Sequence, residues 1–302
     1  MTTQEVSRKK KIIEFLKSKK DWIYGIALSI VVWFGALYIR TLNISNLKNV
    51  TTGNWTLAPD LDPFLFLRWA KYIVENGSLM AIDHMRYVPL GFETAREMPF
   101  VSYGIAYLYK IMSLFSNVTV EYAAIWFPVI MFLFTLIAFF FFVKQLFIKQ
   151  KNAKLIALIS TAFLAVIPGF LHRTIAGVPE KESAAFLFMF LSFYFILKAW
   201  NSEKNAKSYL FGALAGISTG IMGLTWGGVS FVFITLSLAA IVSFFMCDFK
   251  KKDMISFMLW ALTFTLFLYP FPRFGSSLFN STTSLSAYFV SILFFKGFLS
   301  IL

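Results

Sequence analysis

Tyr122–Val143 reads YAAIWFPVIMFLFTLIAFFFFV, 22 residues without one charged side chain. As an α-helix, a stretch of that length and apolarity crosses a hydrocarbon layer about 30 Å thick. Seven further runs of similar character flank it: Trp22–Ile39, Leu155–Leu171, Ala184–Ala199, Tyr209–Leu224, Val229–Cys247, Met254–Pro270 and Ser286–Leu302. Composition agrees with this reading. The 302-residue chain is 58% apolar, 19% aromatic and only 14% charged, with 38 Phe. An ordinary soluble domain is about 25% charged. So few charges cannot cover a water-soluble surface, which excludes a cytosolic enzyme and a disordered chain. The lone Cys247 excludes a disulfide scaffold. Outer-membrane barrel segments alternate in polarity over about 10 residues, and these runs do not. The fold class is all-α, a polytopic membrane helix bundle.

The net charge of +13 would point to nucleic acid in a soluble protein. Here it has a simpler reading, the excess of Lys and Arg in cytoplasmic loops, so no nucleic-acid partner is expected. Of 28 basic residues, 17 fall in four short segments: seven in Met1–Asp21, four in Lys144–Lys154, and three each in Lys198–Lys207 and Asp248–Asp253. The first apolar run therefore starts inside, and alternation puts the other three segments inside as well. Phe100–Phe115 is short and contains Lys110; it is read as a helix lying on or dipping into the membrane, because a span there would throw basic loops outside. The expected plan is a basic cytoplasmic tail over 1–21 and a transmembrane domain over 22–302 with about eight spans. The first external loop is long, about 40–121; the second is short, 172–183. Further external segments are the Trp226-Gly227-Gly228 turn and Phe271–Leu285. Five Asn-x-Ser/Thr triplets, at Asn43, Asn49, Asn54, Asn117 and Asn280, all fall outside. The last run continues to Leu302, from which a truncated or split chain is expected.

Ionisable residues beside membrane segments are costly and invite a functional reading. Two acidic groups stand out, both on the predicted outer face. In Asp60-Leu61-Asp62-Pro63, Pro63 suits the first helical position and Asp62 the N-cap, opening an interfacial helix that ends at Gly77. The plain alternative is a capped surface helix. In Glu180-Lys181-Glu182, carboxylates two residues apart repel unless they are solvated or a cation sits between them. Oxygen donors of this kind suit hard ions such as Mg²⁺ or Mn²⁺. The plain alternative is a polar loop placing Glu182 at a positive helix end. Arg173 either grips a phosphate beside such a metal or snorkels at the interface. His84 and Arg86 are further polar residues of the first loop. With two His and one Cys in the chain, a zinc site is not expected, and no nucleophile triad, phosphate loop or dinucleotide glycine pattern is present.

These residues resemble the N-terminal membrane region of the catalytic subunit of oligosaccharyltransferase, most closely its archaeal single-subunit form. Asp60-Leu61-Asp62-Pro63 with Arg68 looks like the family's first acidic motif. Arg86-Tyr87-Val88-Pro89-Leu90-Gly91 is similar to its first-loop Tyr-Pro-x-Gly stretch. Pro168-Gly169 through Arg173-Thr174-Ile175-Ala176-Gly177 to Glu180-Lys181-Glu182 looks like the second acidic motif, and Trp226-Gly227-Gly228 matches a family turn. The resemblance implies a glycosyltransferase of class C type, acting at the outer face of the cell membrane. It implies transfer of an oligosaccharide from a dolichyl (pyro)phosphate carrier to asparagine of an acceptor polypeptide bearing Asn-x-Ser/Thr. Asp62 would be the catalytic carboxylate and a metal ligand; Glu180 and Glu182 would complete the Mn²⁺ or Mg²⁺ site; Arg173 would hold the lipid-linked phosphate.

Two departures from the family pattern matter. The second motif is Glu-x-Glu and not Asp-first. A later external loop and the soluble C-terminal domain with its Trp-Trp-Asp-x-Gly pocket are not found in these residues, so a separate C-terminal half would be needed for efficient transfer. Three other readings compete: another polyprenyl-phosphate-sugar transferase such as a protein mannosyltransferase, a non-catalytic fragment, and a secondary transporter. The last predicts inverted repeats and mid-span acids, neither of which is found.

Overall fold

A backbone in lipid must satisfy its own N–H and C=O groups, and a helix does so within one segment. The computed structural model describes residues 20–246 and 249–299. The tail read over 1–21 lies almost wholly outside the described residues, as do Cys247 and the chain end at Leu302. Each of the eight apolar runs coincides with helix: α1 (Lys20–Thr41), α4 (Val120–Leu146), α5 (Ala153–Val166) with the short α6 (Pro168–Leu171), α7 (Lys181–Trp200), α8 (Asn205–Thr225), α9 (Val229–Phe245), α10 (Lys251–Leu268) and α11 (Thr282–Leu299). Four stretches are long and apolar enough to cross a membrane by length and composition: Gly25–Asn46, Val120–Leu146, Lys181–Trp200 and Asn205–Thr225. Eight spans are thus not established by the helices themselves. The run Leu155–Leu171 is also interrupted. Ile167 is extended (φ −62°, ψ 125°) before Pro168, because the proline ring crowds the preceding residue out of helical backbone.

Between α1 and α4 the loop carries α2 (Leu61–Asn76), a two-residue antiparallel pair β1 (Ile82–Asp83) and β2 (Phe92–Glu93), and α3 (Phe100–Ser113). Helix α2 ends on Gly77 at φ 84°, as the sequence predicts. Its start differs: Asp60, not Asp62, is the N-cap, and the Asp60 carboxylate accepts from Leu61 N at 2.7 Å. Asp62 therefore stands free in the first turn and Pro63 is buried beneath it. Arg68 faces the hairpin. Its Nη1 donates to Asp83 Oδ1 at 2.9 Å, and Trp69 Nε1 donates to Asp83 Oδ2 at 2.8 Å. Burial alone would raise the Asp83 carboxyl, but these donors and the Met85 amide hold it down at about 2. Asp83 thus pins the hairpin to α2.

The second half of the bundle is built on small residues. Gly212, Gly216 and Gly220 form a stripe along α8 that lies against α10. An added Cβ would fall 2.6 Å from Trp260 O at Gly216 and 2.6 Å from the Phe267 ring at Gly220. Small-residue stripes let helix backbones approach where no hydrophobic force separates helix from lipid. Beside the stripe, Trp260 Nε1 donates to Thr219 Oγ1 at 2.9 Å, and Ser192 Oγ lies 2.7 Å from the same hydroxyl. This satisfied polar knot joins α7, α8 and α10. A separate core, including Phe66, Ile105, Ile125 and Phe132, joins the loop helices to α4.

Candidate functional site

The two acidic motifs lie at the N-termini of α2 and α7, and backbone hydrogen bonds hold the two loops together. Ala58 N donates to Gly177 O at 3.0 Å, two residues before Asp60 and three before Glu180. Gly177 sits at φ 83°, and a Cβ there would lie 2.6 Å from Leu47 Cδ1 and 3.3 Å from Ala58 N. Glycine alone combines that dihedral with that approach. Its own amide donates to Ile125 O of α4 at 3.1 Å. The rest of the second loop is fixed to the end of α1. Ala176 N donates to Arg40 O at 2.9 Å, Asn43 Nδ2 donates to Ala176 O at 2.8 Å, and Arg40 Nε donates to Thr174 Oγ1 at 2.9 Å. The Arg40 guanidinium is fully buried, donates also to Ala165 O at 2.8 Å, and lies 3.3 Å over the Phe132 ring.

These fastenings bring Asp60, Asp62, Arg173, Glu180 and Glu182 to one open cleft of about 540 Å³, completed by Met98, Lys181, Trp226, Gly227 and Arg273. Glu180 is the N-cap residue of α7, yet its side chain does not cap the helix. It is 4% exposed and pairs with Arg173 Nη1 at 3.3 Å. Burial first, then repulsion from Glu182, Asp60 and Asp62, pushes its carboxyl up to about 7, with Arg173 opposing. Lys181 does not sit between the two glutamates: its Nζ donates to Glu97 Oε1 at 2.9 Å. Burial would raise Glu97, but the Lys181 and Met98 hydrogen bonds hold it below the usual carboxylate range. The Glu180 and Glu182 carboxylates are left to the cleft. Asp62 is exposed at its rim.

The cleft thus gathers all four residues singled out as the site: Asp62, Arg173, Glu180 and Glu182. Arg68 and His84 are not among its lining residues. Arg68 is engaged with Asp83, and His84 lies in the hairpin near Gly91. Three lining residues carried no sequence signal: Met98, Lys181 as a cross-loop anchor, and Arg273, whose Nη1 donates to Arg96 O at 2.9 Å. Trp226-Gly227 was legible, as the turn after α8. Oxygen donors and excess negative charge fit a hard divalent ion in kind. Among the described residues, no three His, Cys, Asp or Glu side chains are already drawn together as a metal-holding cluster. The donor chemistry fits; a closed shell would require side-chain adjustment.

Comparison with known proteins places the chain clearly. Residues 27–301 match the family model described as oligosaccharyl transferase STT3, N-terminal. The chain is 26% identical over 180 residues to the dolichyl-phosphooligosaccharide-protein glycotransferase of Methanococcus voltae, covering 55% of this chain and 19% of that protein. It is 22% identical over 274 residues to the stt3 subunit of the dolichyl-diphosphooligosaccharide–protein glycosyltransferase of Schizosaccharomyces pombe, covering 89% of this chain and 35% of that one. The chain therefore spans about a fifth to a third of these relatives. Its fold is that of the Archaeoglobus fulgidus oligosaccharyltransferase. The crystal structure of that protein's complex with zinc and sulfate superposes with TM-score 0.74 at 20% identity, over 89% of this chain and 35% of that chain. Its form tethered to an acceptor peptide with an NVT sequon gives 0.75 at 18% identity, over 92% and 34%.

Proposed function

The chain belongs to the oligosaccharyl transferase STT3 N-terminal family, and on that premise we propose that it forms the donor-binding and metal-binding half of an enzyme that moves an oligosaccharide from a dolichyl (pyro)phosphate to an asparagine amide. The observation that carries the proposal is the meeting of two acidic helix N-termini and Arg173 around one cleft, joined through the Gly177–Ala58 hydrogen bond. The relatives' names, with their dolichyl-linked donors and protein acceptors, support the substrate class. The protein mannosyltransferase alternative does not predict the Arg-to-Glu182 block, and a transporter is disfavoured by carboxylates that sit at helix ends.

The chain threads the membrane several times with its amino end inside and the cleft on the outer face. Support comes from the clustering of Lys and Arg away from the cleft. The transmembrane part over 22–302 works with a C-terminal portion like that of its longer relatives, in the same chain or a second one. Asp62, Glu180 and Glu182 would hold Mg²⁺ or Mn²⁺, which supplies Lewis acidity for the oxygens of the departing phosphate.

The reaction inverts the anomeric carbon: the amide nitrogen bonds to it as the bond from that carbon to the phosphate oxygen breaks, the lipid phosphate leaves with the bonding electrons, and the proton that the nitrogen sheds passes to the Asp62 carboxylate. An amide nitrogen is a poor nucleophile because its lone pair is delocalised. Asp62, exposed at the rim, accepts hydrogen bonds from the acceptor N–H groups and orients the nitrogen for in-line attack. Arg173 is 42% exposed in its side chain and only ion-paired to Glu180, so its guanidinium is available to a lipid phosphate, which it can grip bidentately. Glu180, buried against the loop, fixes Arg173. The test combines this chain with a homologous C-terminal portion and measures glycopeptide formation from a dolichyl-linked donor. Activity in Asp62→Asn and Glu182→Gln equal to wild type would refute the assignment.

A further inference from the structure

At the end of the bundle far from the cleft, α1 stands off its neighbours. Its apolar stretch is only 11% buried, and a Cβ added at Gly25 or Gly35 would meet nothing within 4 Å. The gap between α1 and the α4–α5 pair holds two hollows, about 120 Å³ and about 720 Å³. They share Ser29, Phe140 and Leu158 and so form one continuous groove. The narrow part is lined by Val32, Trp33, Leu136 and Ile137. The hydroxyls that reach it are already satisfied within their own helices: Ser29 Oγ donates to Gly25 O at 2.8 Å and Thr161 Oγ1 to Ala157 O at 2.7 Å. In the narrow part that leaves Trp33 Nε1 as a buried donor without a partner, and one donor is too few to hold a buried water, which needs two to four polar partners. The wide part opens among Lys144, Lys151 and Lys154, with Asn152 between them. None of the three lysines pairs with a carboxylate among the described residues. An apolar channel that ends in three ammonium groups matches an amphiphile, a hydrocarbon chain bearing an anionic head such as a phosphate.

We propose that this groove binds a membrane phospholipid with an anionic headgroup, its tail lying between α1 and α5 and its phosphate among Lys144, Lys151 and Lys154. The donor lipid is not the occupant, because the acidic cleft lies at the opposite end of α1, about 22 Å away at 1.5 Å per residue from Gly25 to Arg40. Charge complementarity decides the headgroup: a zwitterionic lipid gains little from three lysines that have no carboxylate partner among the described residues, whereas an anionic one gains from each. The bound lipid fills the space that side chains leave open beside α1. The proposal does not depend on the transferase reading.

The purified chain, reconstituted in nanodiscs of equal phosphatidylcholine and phosphatidylglycerol, is extracted in mild detergent and its retained lipid is counted by native mass spectrometry. Wild type should retain phosphatidylglycerol preferentially, and K144Q/K151Q/K154Q should lower that retention at least about tenfold. Lys151 and Lys154 are exposed and Lys144 is half-buried at the end of α4, so unchanged helicity of the variant by circular dichroism is expected. S29W, which plugs the waist of the groove, should release the lipid while leaving the lysines in place. Equal retention of both lipids by wild type, or undiminished retention by either variant, would overturn the proposal. So would displacement by inorganic phosphate at the same concentration as by whole lipid, which would mean an anion site without a tail groove.

Discussion

The two acidic motifs are built on the same device, carboxylates at a helix start, and set in opposite surroundings. At α2, Asp60 caps the helix and Asp62 is exposed and unconstrained. At α7, Glu180 is buried and ion-paired, and the loop before it is tied to α1, α4 and the first loop by backbone hydrogen bonds. The difference gives the cleft two unlike sides. On one, a buried carboxylate is held in place and repelled by its neighbours. On the other, an exposed carboxylate faces solvent at the rim.

The strongest way to break this comparison is mutation of the carboxylates themselves. In the combined glycopeptide assay, Glu182→Gln and Asp62→Asn should each lower turnover by about 100-fold or more, the scale of losing one group that stabilises developing charge. The thermal midpoint should separate the two motifs: Glu180→Gln raises it at pH 7 because the cost of burying a charge and its repulsion from Glu182, Asp60 and Asp62 are relieved together, whereas Asp62→Asn raises it less by removing only one of those repulsions. A fall in the midpoint for Glu180→Gln would show that the Arg173 pair outweighs the repulsion.

Next comes the joint between the motifs. Gly177→Ala forces a side chain onto left-handed backbone against Leu47, and should cost about 1–3 kcal/mol in unfolding. It should also depress activity beyond what lost stability explains, because the Ala58 contact that brings Asp62 to Glu180 is broken. Full activity in that variant would mean the loops find each other without it.

A smaller effect should appear in pH. The Glu180 carboxyl rises from its ordinary 4.5 to about 7 in the folded protein. Between those values the folded state holds a proton that the unfolded chain has lost, so the contribution of Glu180 to stability is fully present below about 4.5 and is lost as pH rises through about 7. Differential scanning fluorimetry of metal-free protein should show that decline, and Glu180→Gln should lessen it. Mg²⁺ or Mn²⁺ should restore the midpoint mainly above pH 7, where the Glu180 carboxyl has lost its proton.

The smallest effect concerns the anchors. Asn43→Ala removes the hydrogen bond to Ala176 O and should cost about 1 kcal/mol by thermal unfolding. The same change at the exposed Asn54 of a neighbouring sequon should cost less. Equal costs at the two would mean the second loop does not rely on Asn43.

Much of the architecture is legible because lipid leaves a chain few options. The eight apolar runs become helix, and Gly77 stops α2 where a glycine should. The misreadings have local physical causes. Pro168 divides a run that apolarity alone presents as continuous. Asp60 takes the cap in place of Asp62, since both residue types suit the position and Pro63 is tolerated in the first turn. Arg68 belongs to the buried Asp83 clamp, a partnership across 15 residues that no periodicity announces. At the cleft, Asp62, Arg173, Glu180 and Glu182 stand out as costly charges in an apolar chain. Arg273 does not, because it reaches the cleft from the far end of the sequence. The joint at Gly177 is equally silent, since its partners are backbone atoms, identical in every residue.

Arg40 carries a consequence for how such a chain is made. Its guanidinium donates through Nε to Thr174 and through Nη1 to Ala165, residues translated more than a hundred positions later. At about 5–20 residues per second, the ribosome needs on the order of ten seconds to deliver them. Through that interval a cation at the end of the first helix waits without acceptors, and its arrival partners are the very residues that seat the second acidic loop. The final seating of Arg40 and that of the second acidic loop therefore wait for the same late residues.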